Sequence, residues 1–176
     1  MSNIVSPSLS LQLSVETSYR GIGSYHNNKT VLTKSAMKEL RTHLSFTQMR
    51  FHCSKQQGQT FHVTTVANST GEAVVKYFSG QIDVMPQSCH SFATMDDDTS
   101  RAAKVCEDWG LTKTQVKKVG KWSSFWSQTT ESQSYERIVV VHSAYHWLIR
   151  PQKGRVECDD YKLGVSAGDF WKMYVR

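Results

Sequence analysis

From Met49 to Val66 the apolar positions fall two apart. Met49, Phe51 and Cys53 alternate with polar residues, Gln56-Gln57-Gly58 turns the chain, and Phe61, Val63 and Thr65 alternate with His62, Thr64 and Val66. This period predicts a hairpin, with Cys53 pointing inward beside Phe51. On either side the period changes to that of a helix. Ala36, Met37, Leu40 and Leu44 share one face over about residues 35–44, with Thr33 or Ser35 able to cap. Ser69-Thr70-Gly71-Glu72 has the S-x-x-E form of a capping box. It opens a helix with Ala73, Val74, Tyr77 and Phe78 buried and Gly80 at its end.

A third helix is expected from about Asp98 to Trp109. Ala102, Val105, Cys106 and Trp109 fall at i, i+3, i+4 and i+7, and Gly110 stands where a residue of positive φ stops a helix. Beyond Leu111 the pattern becomes one of short strands. Trp122, Phe125 and Trp126 sit in a Ser-rich run. Ile138, Val140 and His142 alternate with Val139, Val141 and Ser143, the pattern of a strand buried on both faces. Tyr145, Trp147 and Ile149 continue the period. Pro151-Gln152-Lys153-Gly154 turns the chain into a strand with Val156 and Cys158, and residues 170–175 form a last strand. The class is α+β: an antiparallel sheet with two or three short helices in one disulfide-stapled domain, residues 31–176. Residues 1–30 are a separate N-terminal segment. It is either loose or an added strand over Leu9–Thr17, where Leu9, Leu11, Leu13 and Val15 alternate with polar residues.

The 176 residues, 39% hydrophobic and 11% aromatic, suffice for a real core and exclude a disordered chain. The net charge of +6 suits a lysine-rich soluble surface or a preference for acidic partners such as sulfated glycans and acidic matrix proteins. The basic cluster Lys113, Lys117, Lys118 and Lys121 is too sparse to mark a nucleic-acid groove. There is no long apolar run and so no candidate for a membrane span.

Cys53, Cys89, Cys106 and Cys158 form no CxxC pair, which excludes a zinc ribbon or thioredoxin-type motif. Of three possible pairings, Cys89–Cys106 and Cys53–Cys158 are expected. The first staples the third helix to the segment before it and is worth roughly 3 kcal/mol. The second closes a long loop worth roughly 4–5 kcal/mol. The alternative is four reduced, buried thiols in a cytosolic protein. Asn28-Lys29-Thr30 and Asn68-Ser69-Thr70 match the N-glycosylation acceptor. Residues 1–20 show no apolar segment of the secretory type.

Three constellations bear on chemistry. Asp96, Asp97 and Asp98 offer oxygen ligands for Ca²⁺, without the spacing of an EF-hand loop. The competing reading is carboxylates capping a helix N-terminus. Seven histidines include His142 and His146 in one strand and the adjacent pairs His52-Cys53 and Cys89-His90. No HExxH, GxSxG or Gly-rich phosphate loop is present. A Cys/His nucleophile pair requires a thiolate, which oxidised cysteines cannot supply. Finally, Trp122, Trp126, Tyr145, Trp147, Trp171 and Tyr174 crowd the C-terminal third beside Asp159, Asp160 and Asp169. Aromatic faces beside carboxylates suit a sugar, and the same aromatics suit a sheet core.

Two regions resemble extracellular proteins of corals and sea anemones, among them the skeletal organic matrix proteins. The first is MRFHC (Met49–Cys53) with TFHVTTVANSTGEAVVKYF (Thr60–Phe78) and CHSFATMDDDTSRAAKVCEDWG (Cys89–Gly110). The second is His146-Trp147 with ECDDYKLGVSAGDFWKMYVR (Glu157–Arg176). The resemblance implies a secreted, disulfide-bonded module, often found beside adhesion modules, and carries no catalytic residues with it. This chain departs from those proteins in showing neither a signal peptide nor a second module. The expected function is a non-enzymatic extracellular matrix or adhesion module with a glycan or matrix-protein ligand, contacted through Asp159, Asp160, Asp169, Trp147 and Trp171. The less favoured reading is an intracellular thiol-dependent enzyme or hydrolase.

Overall fold

The computed structural model describes residues 13–27, 30–111, 119–123, 130–142, 145–161 and 164–176. In chain order the elements are β1 (Ser14–Glu16), β2 (Thr30–Leu32), α1 (Lys34–Leu44), β3 (Met49–Ser54), β4 (Thr60–Thr65), α2 (Ser69–Phe78), β5 (Phe92–Thr94), β6 (Arg137–Val141), β7 (Tyr145–Arg150), β8 (Arg155–Cys158) and β9 (Phe170–Val175). Short 3₁₀ turns occupy Tyr19–Asn27, Ala102–Asp108, Glu131–Ser134 and Pro151–Lys153. The strands form an antiparallel sheet in the order β5-β4-β3-β9, a second antiparallel sheet β6-β7-β8, and a parallel pair β1-β2. This is the α+β class with antiparallel sheets expected from the hydrophobic pattern. Of the sequence features named above, Leu9, Leu11, Asn28, Lys113, Lys117, Lys118, Phe125, Trp126 and Ser143 lie outside the described residues.

The hairpin forms as its period demands. Met49, Phe51 and Cys53 are buried on one face of β3, and Arg50, His52 and Ser54 lie on the other. The helices start where a side chain can take their free N–H groups. In α1 that group is Thr33, whose Oγ1 accepts from Ala36 N at 3.2 Å. In α2 the cap is Asn68, one residue earlier than the S-x-x-E reading places it. Its Oδ1 accepts from the N–H groups of Thr70 and Gly71. Glu72 reaches out to Arg41 instead of back to the cap, tying α2 to α1. Gly71 faces the carbonyl of Val66 so closely that a Cβ would collide with backbone. Glycine is thus what lets α2 pack against the end of β4.

The third helix departs from its expected form. Its positions are right, but the backbone runs as two short 3₁₀ turns broken at Val105 (φ −120°, ψ 39°). Asp96–Asp98 do not cap it. A buried carboxylate 57 residues away does so: Asp159 accepts from Arg101 N and Ala102 N, both at 2.7 Å. Two constraints replace the regular helix. Cys106 is tied back to Cys89, and the Trp109 indole N–H reaches the Ala102 carbonyl at 2.8 Å.

The core lies between the sheets and is dominated by aromatics. Phe51 meets Phe78, Trp122 and Trp147 at 5.3, 5.2 and 6.0 Å between centroids. Trp109 packs edge-on to Trp122 at 4.8 Å and stacks on Phe92 at 4.9 Å. Such pairs add about 0.5–1.5 kcal/mol beyond the burial of the rings. The N–H of each buried indole is satisfied: Trp109 by Ala102 O, Trp122 by Ser91 Oγ, Trp147 by Tyr135 O. Cys53–Cys158 joins β3 to β8 and so binds the two sheets covalently, while Cys89–Cys106 closes the shorter loop.

The two bonds close loops of 105 and 17 residues. Replacing Cys53 and Cys158 together by Ala is expected to cost about 4–5 kcal/mol, and replacing Cys89 and Cys106 about 3 kcal/mol. Denaturant titration of the two double variants measures the order, and a larger loss for the short loop contradicts it.

Candidate functional site

The outer face of the β5-β4-β3-β9 sheet carries an uncommon set of side chains. β3 places Arg50, His52 and Ser54 there, and β9 places Phe170, Lys172 and Tyr174 directly beside them. The Arg50 guanidinium lies 4.1 Å from the Tyr174 ring centroid, and the Lys172 ammonium lies 4.8 Å from that of Phe170. Lys172 and Tyr174 are exposed, while Arg50 and Phe170 are half-buried. This face is therefore a row of cations laid over aromatic rings.

Beside the middle of the row, where His52 stands opposite Lys172, two histidines meet. Antiparallel pairing sets His52 directly opposite His62, and their rings stack at 3.6 Å, 3° from parallel. The loop after β5 closes over them because it continues the edge of β4. Met95 N bonds His62 O, His62 N bonds Asp98 Oδ2, and Thr99 N bonds Thr60 O. This register sets Asp97 above both imidazoles. Its Oδ1 lies 2.5 Å from His62 Nδ1, and its Oδ2 lies 3.6 Å from His52 Nε2. The edge of Phe170 packs against His52 at 4.7 Å.

Burial, then the neighbouring His62, lower the pKa of His52 and outweigh the Asp97 carboxylate. Burial works against the charge on Asp97, but the hydrogen bond and charge of His62, with the charge of His52, hold its carboxyl below the ordinary range. Asp98 goes the other way: burial raises its pKa although it accepts hydrogen bonds from His62 and Ser100. Of the acidic run, only Asp97 faces the histidines through its side chain. Asp98 is committed to backbone and hydroxyl donors, and Asp96 is exposed.

The five residues proposed from sequence for a sugar do not assemble into an open patch. Trp147 is 1% exposed and belongs to the core. Asp159 is the buried cap described above. Asp160 accepts from Cys158 N and pairs with Lys55 at 3.0 Å, and Trp171 gives its indole N–H to Glu157 O. Asp169 lies at the surface but accepts from Gln56 N and Ser166 N, closing a loop. Carboxylates beside aromatics read as sugar ligands in one dimension. In three, turn N–H groups and a buried lysine use their oxygens first.

A second polar cluster lies under β7 and β8. Glu157 is fully buried, with Oε2 2.6 Å from His146 Nδ1 and Oε1 paired to Arg155. His146 Nε2 lies 3.1 Å from the His142 carbonyl, so both imidazole nitrogens are engaged. All four cysteines are in disulfides, so this form of the protein holds no thiolate for a Cys/His mechanism. Among the described residues no helix is long and apolar enough to cross a membrane. No family model matches this chain, and neither a curated protein nor a solved structure matches it.

Glu157 generates a pH-dependent prediction. Burial raises its pKa, but the hydrogen bonds and charges of His146 and Arg155 outweigh this and leave it below the ordinary 4.5. A depressed carboxyl contributes stability above its unfolded pKa and loses it as the pH falls through the folded value. Glu157→Gln should cost about 3 kcal/mol at pH 7, because Arg155 and His146 lose their partner. The gap to wild type should narrow progressively below pH 4.5. Thermal unfolding from pH 7 to pH 3 tests this, and a gap that stays constant contradicts it.

Proposed function

We propose that the protein is an extracellular binding module of the matrix or adhesion type, holding an anionic glycan on the outer face of its four-stranded sheet. The observation that carries this reading is the row Arg50–Tyr174 and Lys172–Phe170, in which cations sit over aromatic rings on an open sheet. Sulfate and carboxylate groups pair with such cations, and pyranose CH faces stack on such rings. The net charge of +6 steers an anionic chain toward the protein.

The setting agrees with this. Two disulfides are compatible with an oxidising, extracellular environment. Asn68 lies exposed at the start of α2, and capping uses only its Oδ1, which is consistent with an N-linked glycan at its amide nitrogen.

The test is retention on an immobilised sulfated glycan, with the desulfated chain as control. Wild type should be retained and eluted by salt. Arg50→Ala and Lys172→Ala should each weaken binding about tenfold, the value of one charge-assisted hydrogen bond. Equal retention on the desulfated chain, or unchanged elution of both variants, sinks the assignment. Retention by an acidic protein alone would move the ligand class from glycan to matrix protein.

A further inference from the structure

Three side chains on the outer sheet face converge as metal ligands do. His52, His62 and Asp97 each present one ligand-type atom, and these atoms all lie within 4.8 Å of one another. Two arrive by strand pairing and the third by the loop that continues the edge of β4. Directly opposed positions on an antiparallel pair bring Cβ atoms to about 5 Å, a span that one ion can bridge. We propose that His52, His62 and Asp97 form a three-ligand site for a divalent transition metal of the zinc type.

The donor set selects the metal. Two imidazoles and one carboxylate suit zinc and its neighbours, whereas Ca²⁺ requires six to eight oxygens. Asp96 and Asp98 supply none here, since Asp98 is bonded to His62 N and Ser100 and Asp96 is not among the converging residues. This nitrogen-rich set, which takes Asp97 alone from the acidic run, differs from the oxygen-only calcium set expected of Asp96–Asp98.

Independent features support the site. His62 is buried, its Nδ1 faces Asp97, and its Nε2 makes no hydrogen bond. The surroundings hold the ligands in place: Asp98 fixes the His62 backbone and Phe170 backs the His52 ring. Asp97 is exposed, so water or a ligand oxygen can complete the coordination.

The experiment uses the oxidised, untagged protein after chelator treatment, with no glycan present. Its outcome is therefore separate from that of the glycan assignment. Zn²⁺ is titrated by calorimetry and followed by thermal unfolding, with Ca²⁺ as comparison, and Co²⁺ reports the ligand field in the visible spectrum. One equivalent of Zn²⁺ should bind and raise the unfolding midpoint, and Ca²⁺ should do neither. His52→Gln and Asp97→Ala should each weaken Zn²⁺ by at least about tenfold, the lower end of what losing even an outer partner costs. Asp97 is at the surface, so its variant carries the test if His52→Gln fails to fold. Absence of saturable Zn²⁺ binding overturns the proposal. So does equal affinity in the variants, which would assign the ion to other histidines, or equal binding of Ca²⁺.

Discussion

The bond between Cys53 and Cys158 is the constraint on which the rest of the molecule depends. It leaves the inner face of β3 and ends on β8, so it fastens one sheet to the other across the aromatic core. The large rings around Phe51 fill the space between the layers, and the disulfide spans it. Because side chains alternate along a strand, the same five residues serve two purposes. Met49, Phe51 and Cys53 anchor the core, and Arg50 and His52 are thereby held outward in a rigid register.

Charge is placed inside this frame only where donors answer it. Asp159 accepts from two N–H groups of the Ala102 turn, Glu157 is met by His146 and Arg155, and Lys55 by Asp160 and the Gly164 carbonyl. All three clusters lie near the end of β8, beside Cys158. Asp159 and Asp160 bring this stretch into contact with segments some 60 to 100 residues away, while Glu157 is met from β7 and β8. Their oxygens are met from within the protein, by backbone N–H groups at Asp159 and by charged or imidazole partners at Glu157 and Asp160.

The outer sheet face is different because Lys172, Tyr174 and Asp97 are exposed there. A row of cations over rings and a His-His-Asp cluster beside its middle share β3 as their common strand. An ion held by the cluster would turn the Asp97 side of the row from negative to positive, which would widen the surface offered to an anionic chain. The metal and glycan proposals stand on separate observations, yet they concern one continuous face.

Short-range pattern was sufficient for much of the fold. The helices at Lys34–Leu44 and Ser69–Phe78, the hairpin about Gln57, the strand buried on both faces and both disulfides were legible, since each rests on periodicity, a nearby cap, or the inward direction of a cysteine. The His52–His62 pair was also present in outline, because a turn centred on Gln57 sets residues five places to either side opposite each other. Without a register, that arithmetic had no warrant. What only the tertiary structure decided was the use of each polar atom. Asp159 became a cap, Trp147 went to the core, Asp97 moved over the histidines and the Ala102 segment broke at Val105. For Asp159, Trp147 and Asp97 the partners lie well away along the chain, and a carboxylate or an indole goes to whatever donor, acceptor or apolar space the packed layers bring within reach.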